Sequence, residues 1–280
     1  QQSWGNPTSK HRARQTGGIT MSFDLSSIKK GVEHKAPRIV LLGVEKIGKS
    51  TFAAGADNPI FLPIKGEEGV DDLDVAKFPR AETFDDVLEA VTTLIKEDHD
   101  YKTFIIDSVS ALEPVIWAKL CDEDNVDSIE SYQKGFGKGY TAAANKMGDL
   151  MEGLDRLRSK GISVILIGHV KVKRFDDPLG ASFDQYQFDL HEKVHLALQR
   201  WADSILFANS ETIVKTEDVG FNKEKKTGKD LTGARWLFTQ KRPGHPGGGR
   251  GVYGRLPYKL PLSWEAFTNA AAEAAQSTTK

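Results

Sequence analysis

With 280 residues, 39% of them apolar and 28% charged, the chain has the make-up of a globular protein long enough for a sizeable core. Its net charge of −1 excludes a global field toward nucleic acid or an anionic membrane, so any such attraction must be local. A single cysteine, Cys121, excludes an intrachain disulfide and fits a reducing, cytosolic setting, and no apolar run approaches the roughly 18 residues of a membrane span.

Residues 1–20 are polar, carry Lys10, Arg12 and Arg14 without an acid, and lack the apolar stretch of a signal peptide. They read as a disordered leader or upstream read-through, followed by one domain over 21–268 and, over 269–280, a fraying helix or a flexible, disordered tail. Within the domain, "RIVLLG" (38–43) predicts a buried strand that feeds a glycine loop and a helix from Lys49. A second short strand falls at 59–64. Apolar residues at Phe84, Val87, Leu88, Val91, Leu94 and Ile95 predict a helix over 83–97. Strand 102–108, helix 142–161 and strand 162–169 follow, then helix 190–203 and strand 204–209, then a late antiparallel pair around "GFNKEKKTGKD". The alternation predicts an α/β fold with a mostly parallel central sheet, flanking helices and a C-terminal antiparallel extension. The least regular stretches, 120–140 and 171–190, follow strands on the side of an open sheet where ligands bind.

The chemistry concentrates at "GVEKIGKST", where Gly43, Gly48, Lys49 and Ser50 complete the pattern G-x-x-x-x-G-K-[ST]. Glycines let the backbone of Val44, Glu45, Lys46 and Ile47 curl so that N–H groups face a phosphate, and the next helix offers its N-terminus to the same anion. Lys49 would reach the outer phosphates, Ser50 would join a Mg²⁺ shell, and Thr51 continues the loop. A loop of this kind also needs a carboxylate at a neighbouring strand end, and "TFIIDS" supplies Asp107. The alternative for Asp107 is to cap the helix that "DSVSALEP" could start. His191 and His195, spaced like a zinc-protease pair in "HEKVH", lie on an amphipathic helix and lack a further ligand, so packing is the better reading.

The segment "IIDSVSAL" resembles the Walker B stretch of RecA-like ATPases. The resemblance narrows through "PIF" and "EEGVDDLDVAKFP", "GFGKGYTAA" and "LQRWADSILFA" to the phage-encoded RecA-like single-strand annealing ATPases. That is the fourth Sak type, also known simply as phage nucleotide-binding AAA proteins. It covers roughly residues 36 to 268. It implies a RecA-like P-loop NTPase core that uses ATP and Mg²⁺. It further implies a water-activating glutamate after the second strand, at Glu67 or Glu68 with Glu67 preferred, and a γ-phosphate sensor at His169. Lys241 and Arg242 stand where the family carries a basic pair that completes a neighbour's site, which implies a ring or filament with ATP between subunits. In one departure, Glu45 and Lys46 occupy loop positions where the family more often has small residues and proline.

The same resemblance implies single-stranded DNA as partner, in phage recombination or annealing in the host cytoplasm. A single-strand DNA-binding protein is a further candidate partner. Two stretches could contact the strand. Lys134, Phe136 and Lys138 combine lysines with an aromatic stacking platform, and Lys171, Lys173 and Arg174 open the position of the family's second DNA loop. No acid occurs between 231 and 264, whereas Arg235, Lys241, Arg242, Arg250, Arg255 and Lys259 supply six positive charges. The readings from other classes are a P-loop small-molecule kinase and a nucleotide-gated DNA-binding module that does not hydrolyse.

Overall fold

The structure, a computed structural model, describes residues 25–31, 33, 35–178, 180–218 and 224–277, with backbone alone at Ser26, 211–218 and 224–232. Two compact units emerge, Gln1–His34 and Lys35–Lys280. Of the first, the described part holds a 3-10 turn, Leu25–Ser27, with Leu25 and Ile28 exposed. The leader read at 1–20 lies outside the described residues.

The larger unit begins with strand β1 (Arg38–Gly43), helix α1 (Lys49–Ala54), β2 (Pro59–Pro63) and β3 (Ala76–Lys77). Next come α2 (Phe84–Lys96), β4 (Thr103–Asp107), α3 (Val109–Asp124), α4 (Lys138–Ser159) and β5 (Ser163–Phe175). Then follow β6 (Phe183–Phe188), α5 (Glu192–Trp201), β7 (Ser204–Asp218), β8 (Glu224–Phe238), β9 (Gly248–Gly249), β10 (Lys259–Pro261) and α6 (Trp264–Gln276). The main sheet runs β10-β8-β7-β1-β5-β4-β2-β3. The neighbours from β7 to β3 are parallel, and the β7–β8 and β8–β10 pairs are antiparallel. This is the expected α/β architecture with its antiparallel extension.

Successive strand side chains point to opposite faces, so an unbroken apolar strand is stable only where both faces are covered. In β1, Ile39 and Leu41 face a core shared with Phe52 of α1 and Phe267 of α6. Val40 and Leu42 face the opposite core with Leu112, Leu150 and Leu198, from α3, α4 and α5. All four β1 side chains are fully buried, and each such burial contributes about 1.5–3 kcal/mol.

One expectation changes. The stretch 171–190 is regular over most of its length: β5 continues to Phe175 and pairs antiparallel with β6, from Val170 opposite Phe188 to Phe175 opposite Phe183. Backbone pairing holds this two-stranded arm while Lys171–Phe175 stay exposed, so no buried face wrote a periodic signal into the sequence. Of the two readings for 269–280, the described residues take the helical one: α6 reaches Gln276 and buries Phe267, Ala270 and Ala274. Alanine is the best helix former yet a weak hydrophobic marker, so the packed face went unread. In 120–140, α3 extends to Asp124, and a turn follows in which Gln133, Lys134 and Phe136 all take positive φ.

Candidate functional site

The carboxyl ends of β1 and β4 lie on either side of the middle of β5, which pairs in parallel with both and sets Gly43 beside His169 and Asp107 beside Ile167. At the end of β1 the chain turns through 44–48 into α1. Gly48 makes that turn at φ 106°, a left-handed conformation that a side chain would strain, and no side chain caps α1. The Lys49 ammonium donates to the carbonyls of Gly43 (3.1 Å) and Val44 (3.0 Å). Burial pulls its pKa down, and the attraction of Asp107, Glu67 and Glu45 only partly compensates. A cation taken from water in this way gains most from an incoming anion.

The Ser50 hydroxyl donates to Asp107 Oδ2 at 2.6 Å. Asp107 is 3% exposed at the end of β4. Burial pushes its carboxyl up and the Glu67 charge adds to that, against the Ser50 hydrogen bond and the pull of Lys49. Ser108, rather than Asp107, caps α3 by accepting the Ala111 N–H, which leaves the aspartate to Ser50. Opposite this pair stands Gly69, where a Cβ would come 3.1 Å from Ser50 Oγ and 3.7 Å from Asp107 Oδ2. One hydroxyl and one carboxylate beside a space kept open by glycine suit Mg²⁺, a hard cation that prefers oxygen and is held mainly through phosphates and water.

Across the cavity, the Ser108 hydroxyl and His169 Nε2 (2.9 Å) both bond Glu67 Oε1. Burial pushes the Glu67 carboxyl up, but those two hydrogen bonds and the charges of His169 and Lys49 outweigh it, so its pKa is lowered and it stays ionised. With Nε2–H donating to Glu67, His169 Nδ1 is left as a buried atom without a hydrogen-bond partner. The His169 backbone N–H is fixed by the Ser110 hydroxyl at 2.9 Å. Between the two glutamates the structure discriminates: Glu67 lines the cavity, and Glu68 is exposed outside it.

The cavity measures about 580 Å³ and brings together Glu45, Lys46, Gly48, Lys49, Ser50, Thr51, Glu67, Asp107 and His169. Val44 contributes its carbonyl to Lys49, whereas the Ile47 side chain is buried against the β1 core. Four lining or bridging groups lay outside the sequence reading of the site: Gly66, Gly69, Ser108 and Arg235. Arg235 stood out in sequence only as part of a basic stretch. Pairing of β8 to β7, and of β7 to β1, carries it to within 3.1 Å of where a Gly48 Cβ would be.

Lys241 and Arg242 lie away from this cavity. Lys241 lines a small cleft with Tyr186, Phe188 and His195, and the Arg242 guanidinium sits 4.3 Å over the Tyr258 ring. Of the candidate DNA residues, Phe136 is 97% exposed, and the Lys138 ammonium donates to the Gln133 carbonyl at 3.2 Å. Lys171 pairs with Asp189 at 3.3 Å, Arg174 approaches Asp176 at 3.9 Å, and Lys134 and Lys173 are exposed. The histidine pair packs: His191 caps α5 and stacks on Tyr140, and His195 stacks on Phe188.

A family model described as an AAA domain matches residues 35–251, most of the chain. An uncharacterized SPbeta prophage-derived protein of Bacillus subtilis (strain 168), YorG, is 26% identical over 151 residues. That match covers 52% of this chain and 44% of the relative, so the chain aligns with less than half of the relative's length. No described helix is long and apolar enough to cross a membrane. On the family match, the chain belongs to this AAA-domain family of P-loop NTPases, for which nucleotide binding and hydrolysis are the implied chemistry.

Proposed function

We propose that the chain is an ATPase that couples turnover at the P-loop to single-stranded DNA, in phage recombination or annealing. The observation that carries the hydrolytic reading is the cluster at the strand ends. An ionised Glu67, held by His169 and Ser108, shares one cavity with a buried Lys49 and the Ser50–Asp107 pair.

In this reading Lys49 exchanges its two carbonyl contacts for phosphate oxygens, and Ser50 and Asp107 hold Mg²⁺. When bound, the ion neutralises charge on the outer phosphates. Glu67 orients a water and accepts its proton, a role open to a carboxylate kept ionised in a cavity. His169 bonds the same glutamate and begins the exposed half of β5, so it links the phosphate end of the site to the β5–β6 arm. Positive charge for the transition state would come from Lys241 or Arg242 of an adjacent copy, since both lie outside the chain's own cavity. The exposed Phe136 and the lysines at 134, 138, 171 and 173, with Arg174, would meet the strand by stacking and phosphate contact. The prophage origin of the similar Bacillus protein supports the phage setting.

ATP hydrolysis measured with and without a single-stranded oligonucleotide tests the reading. Stimulation by the oligonucleotide is expected. Turnover that appears only with a small phosphate acceptor would overturn it in favour of a kinase.

A further inference from the structure

The phosphate loop carries two charged residues, Glu45 and Lys46, where the ATPases that the chain resembles more often have small residues and proline. Neither side chain has a role in the chemistry described so far. We propose that Glu45 sets the charge selectivity of the site: its carboxylate opposes a bare triphosphate and favours a nucleotide that arrives with a divalent cation. The proposal rests on the loop from Gly43 to Thr51 holding the phosphates, as in the preceding reading.

Three observations carry the assignment. The first is position. Strand β1 fixes the loop on one side of Glu45, and the Ile47 side chain, 7% exposed in the core that Phe52 shares, fixes it on the other. Between them Lys46 turns the chain at φ 57°, in the left-handed region, where a residue with a side chain stays only if its surroundings hold it. Glu45 is thereby kept at the wall of the phosphate cavity. The second is freedom. Glu45 is exposed and makes no hydrogen bond or ion pair among the described residues, so its charge is not spent on a partner. The third is reach. The Glu45 charge is felt at Lys49, where with Asp107 and Glu67 it opposes the effect of burial. Lys46 lines the same cavity, yet it is not among the charges that act on Lys49, Asp107 or Glu67. The two loop charges therefore do not cancel at Lys49, and what the pair adds there is negative.

The selectivity follows from Coulomb's law, since a fixed carboxylate repels a bound polyphosphate in proportion to the ligand's charge. Bound Mg²⁺ cancels two of the negative charges of a triphosphate and relieves much of that repulsion. By the same law the Lys49 ammonium alone would prefer the bare triphosphate. Such a ligand would fill the loop without bringing the ion for which Ser50 and Asp107 are placed. Glu45 offsets that preference.

Affinity for a non-hydrolysable ATP analogue, measured with excess Mg²⁺ and again with a chelator, tests the proposal without turnover. Glu45→Gln keeps the size of the side chain and removes its charge, and its exposure leaves the core untouched. Metal-free affinity is expected to rise about fivefold and Mg²⁺-bound affinity about twofold, the worth of an exposed charge interaction scaled by the ligand's charge. Glu45→Lys should double both effects on a logarithmic scale. At about 1 M salt, where the Debye length is about 3 Å, the difference between wild type and Glu45→Gln should vanish, which a change of loop shape would not bring about. Affinities of Glu45→Gln equal to wild type, or tightened equally for both forms of the ligand, overturn the role of Glu45 while the phosphate site stands. Wild-type protein that binds neither form, or a Lys49→Ala protein that binds both undiminished, overturns the phosphate site and the role of Glu45 with it.

Discussion

The two ends of β1 each gather charge, and they handle it in opposite ways. At the amino end, Arg38 donates to both oxygens of Asp203 (3.2 and 3.0 Å) and to Asp155 at 3.0 Å, and Arg158 adds a 2.9 Å bond to Asp203. Burial disfavours the charges there too. Hydrogen bonds and ion pairs overcome it, so the Asp203 carboxyl sits below its ordinary range and Arg38 is held protonated. At the carboxyl end, burial prevails for two of the three charged groups: Asp107 is pushed up and Lys49 pulled down, while Glu67 alone is held low by its hydrogen bonds. The amino-end cluster is complete within the fold and ties β1, α4 and the start of β7 together. The carboxyl-end cluster is left under-compensated, which is the state of a site that a phosphate and a cation would complete.

Breaking each cluster should therefore give opposite phenotypes. The largest effect is expected from Lys49→Ala, which should lower ATP turnover at least about 100-fold while leaving the thermal transition near wild type. Asp203→Asn should do the reverse. Removing one partner of a largely buried ion cluster costs about 3 kcal/mol, read as a lower denaturation midpoint, with turnover per folded molecule retained. Unchanged stability in that variant would remove the contrast.

Asp107→Asn sharpens the comparison, because burial and Glu67 outweigh the attraction of Lys49 and the neutral amide relieves that penalty. A gain of about 1 kcal/mol at neutral pH is expected, together with loss of Mg²⁺-dependent hydrolysis. The pH dependences separate in sign. Asp203, with a depressed folded value, stabilises above its unfolded value and loses that contribution as pH falls through the folded one. Asp107, with a raised folded value, contributes stability in acid and loses it as pH rises through the folded one. Melting curves across acidic pH should accordingly show Asp203→Asn flattening the acid loss and Asp107→Asn removing the opposing gain. The smallest effects belong to the surface. Phe136→Ala should weaken single-stranded DNA binding several-fold by losing one stacking contact, and Lys173→Ala should reduce its salt dependence by about one phosphate contact. A salt slope unchanged in Lys173→Ala would remove the arm from the interface.

What the sequence made legible follows the same divide. The loop from Gly43 to Thr51 could be read because its chemistry requires fixed residues within one turn of chain. Asp107 could be read because a phosphate loop needs a carboxylate where a neighbouring apolar strand ends, whereas His169 was legible only through the resemblance to RecA-like ATPases. Arg235 could not be read as a neighbour of Gly48, since only the pairing of β8, β7 and β1 brings the two together. Trp264 gave no signal either, because a short alanine-rich helix hides which face it buries. The β5–β6 arm looked irregular for a related reason: it is held by backbone pairing, and its β5 half leaves the side chains of Lys171–Phe175 in water. Glu67 stood beside Glu68 in sequence, and the hydrogen bonds from Ser108 and His169 distinguish them.

ATP turnover by Glu67→Gln, set beside wild type, tests the water-activating role most directly. The amide keeps the size and one acceptor oxygen of the carboxylate but cannot take the proton. The account predicts turnover lowered by about 100-fold or more with ATP binding retained. Turnover at the wild-type rate in this variant would contradict it.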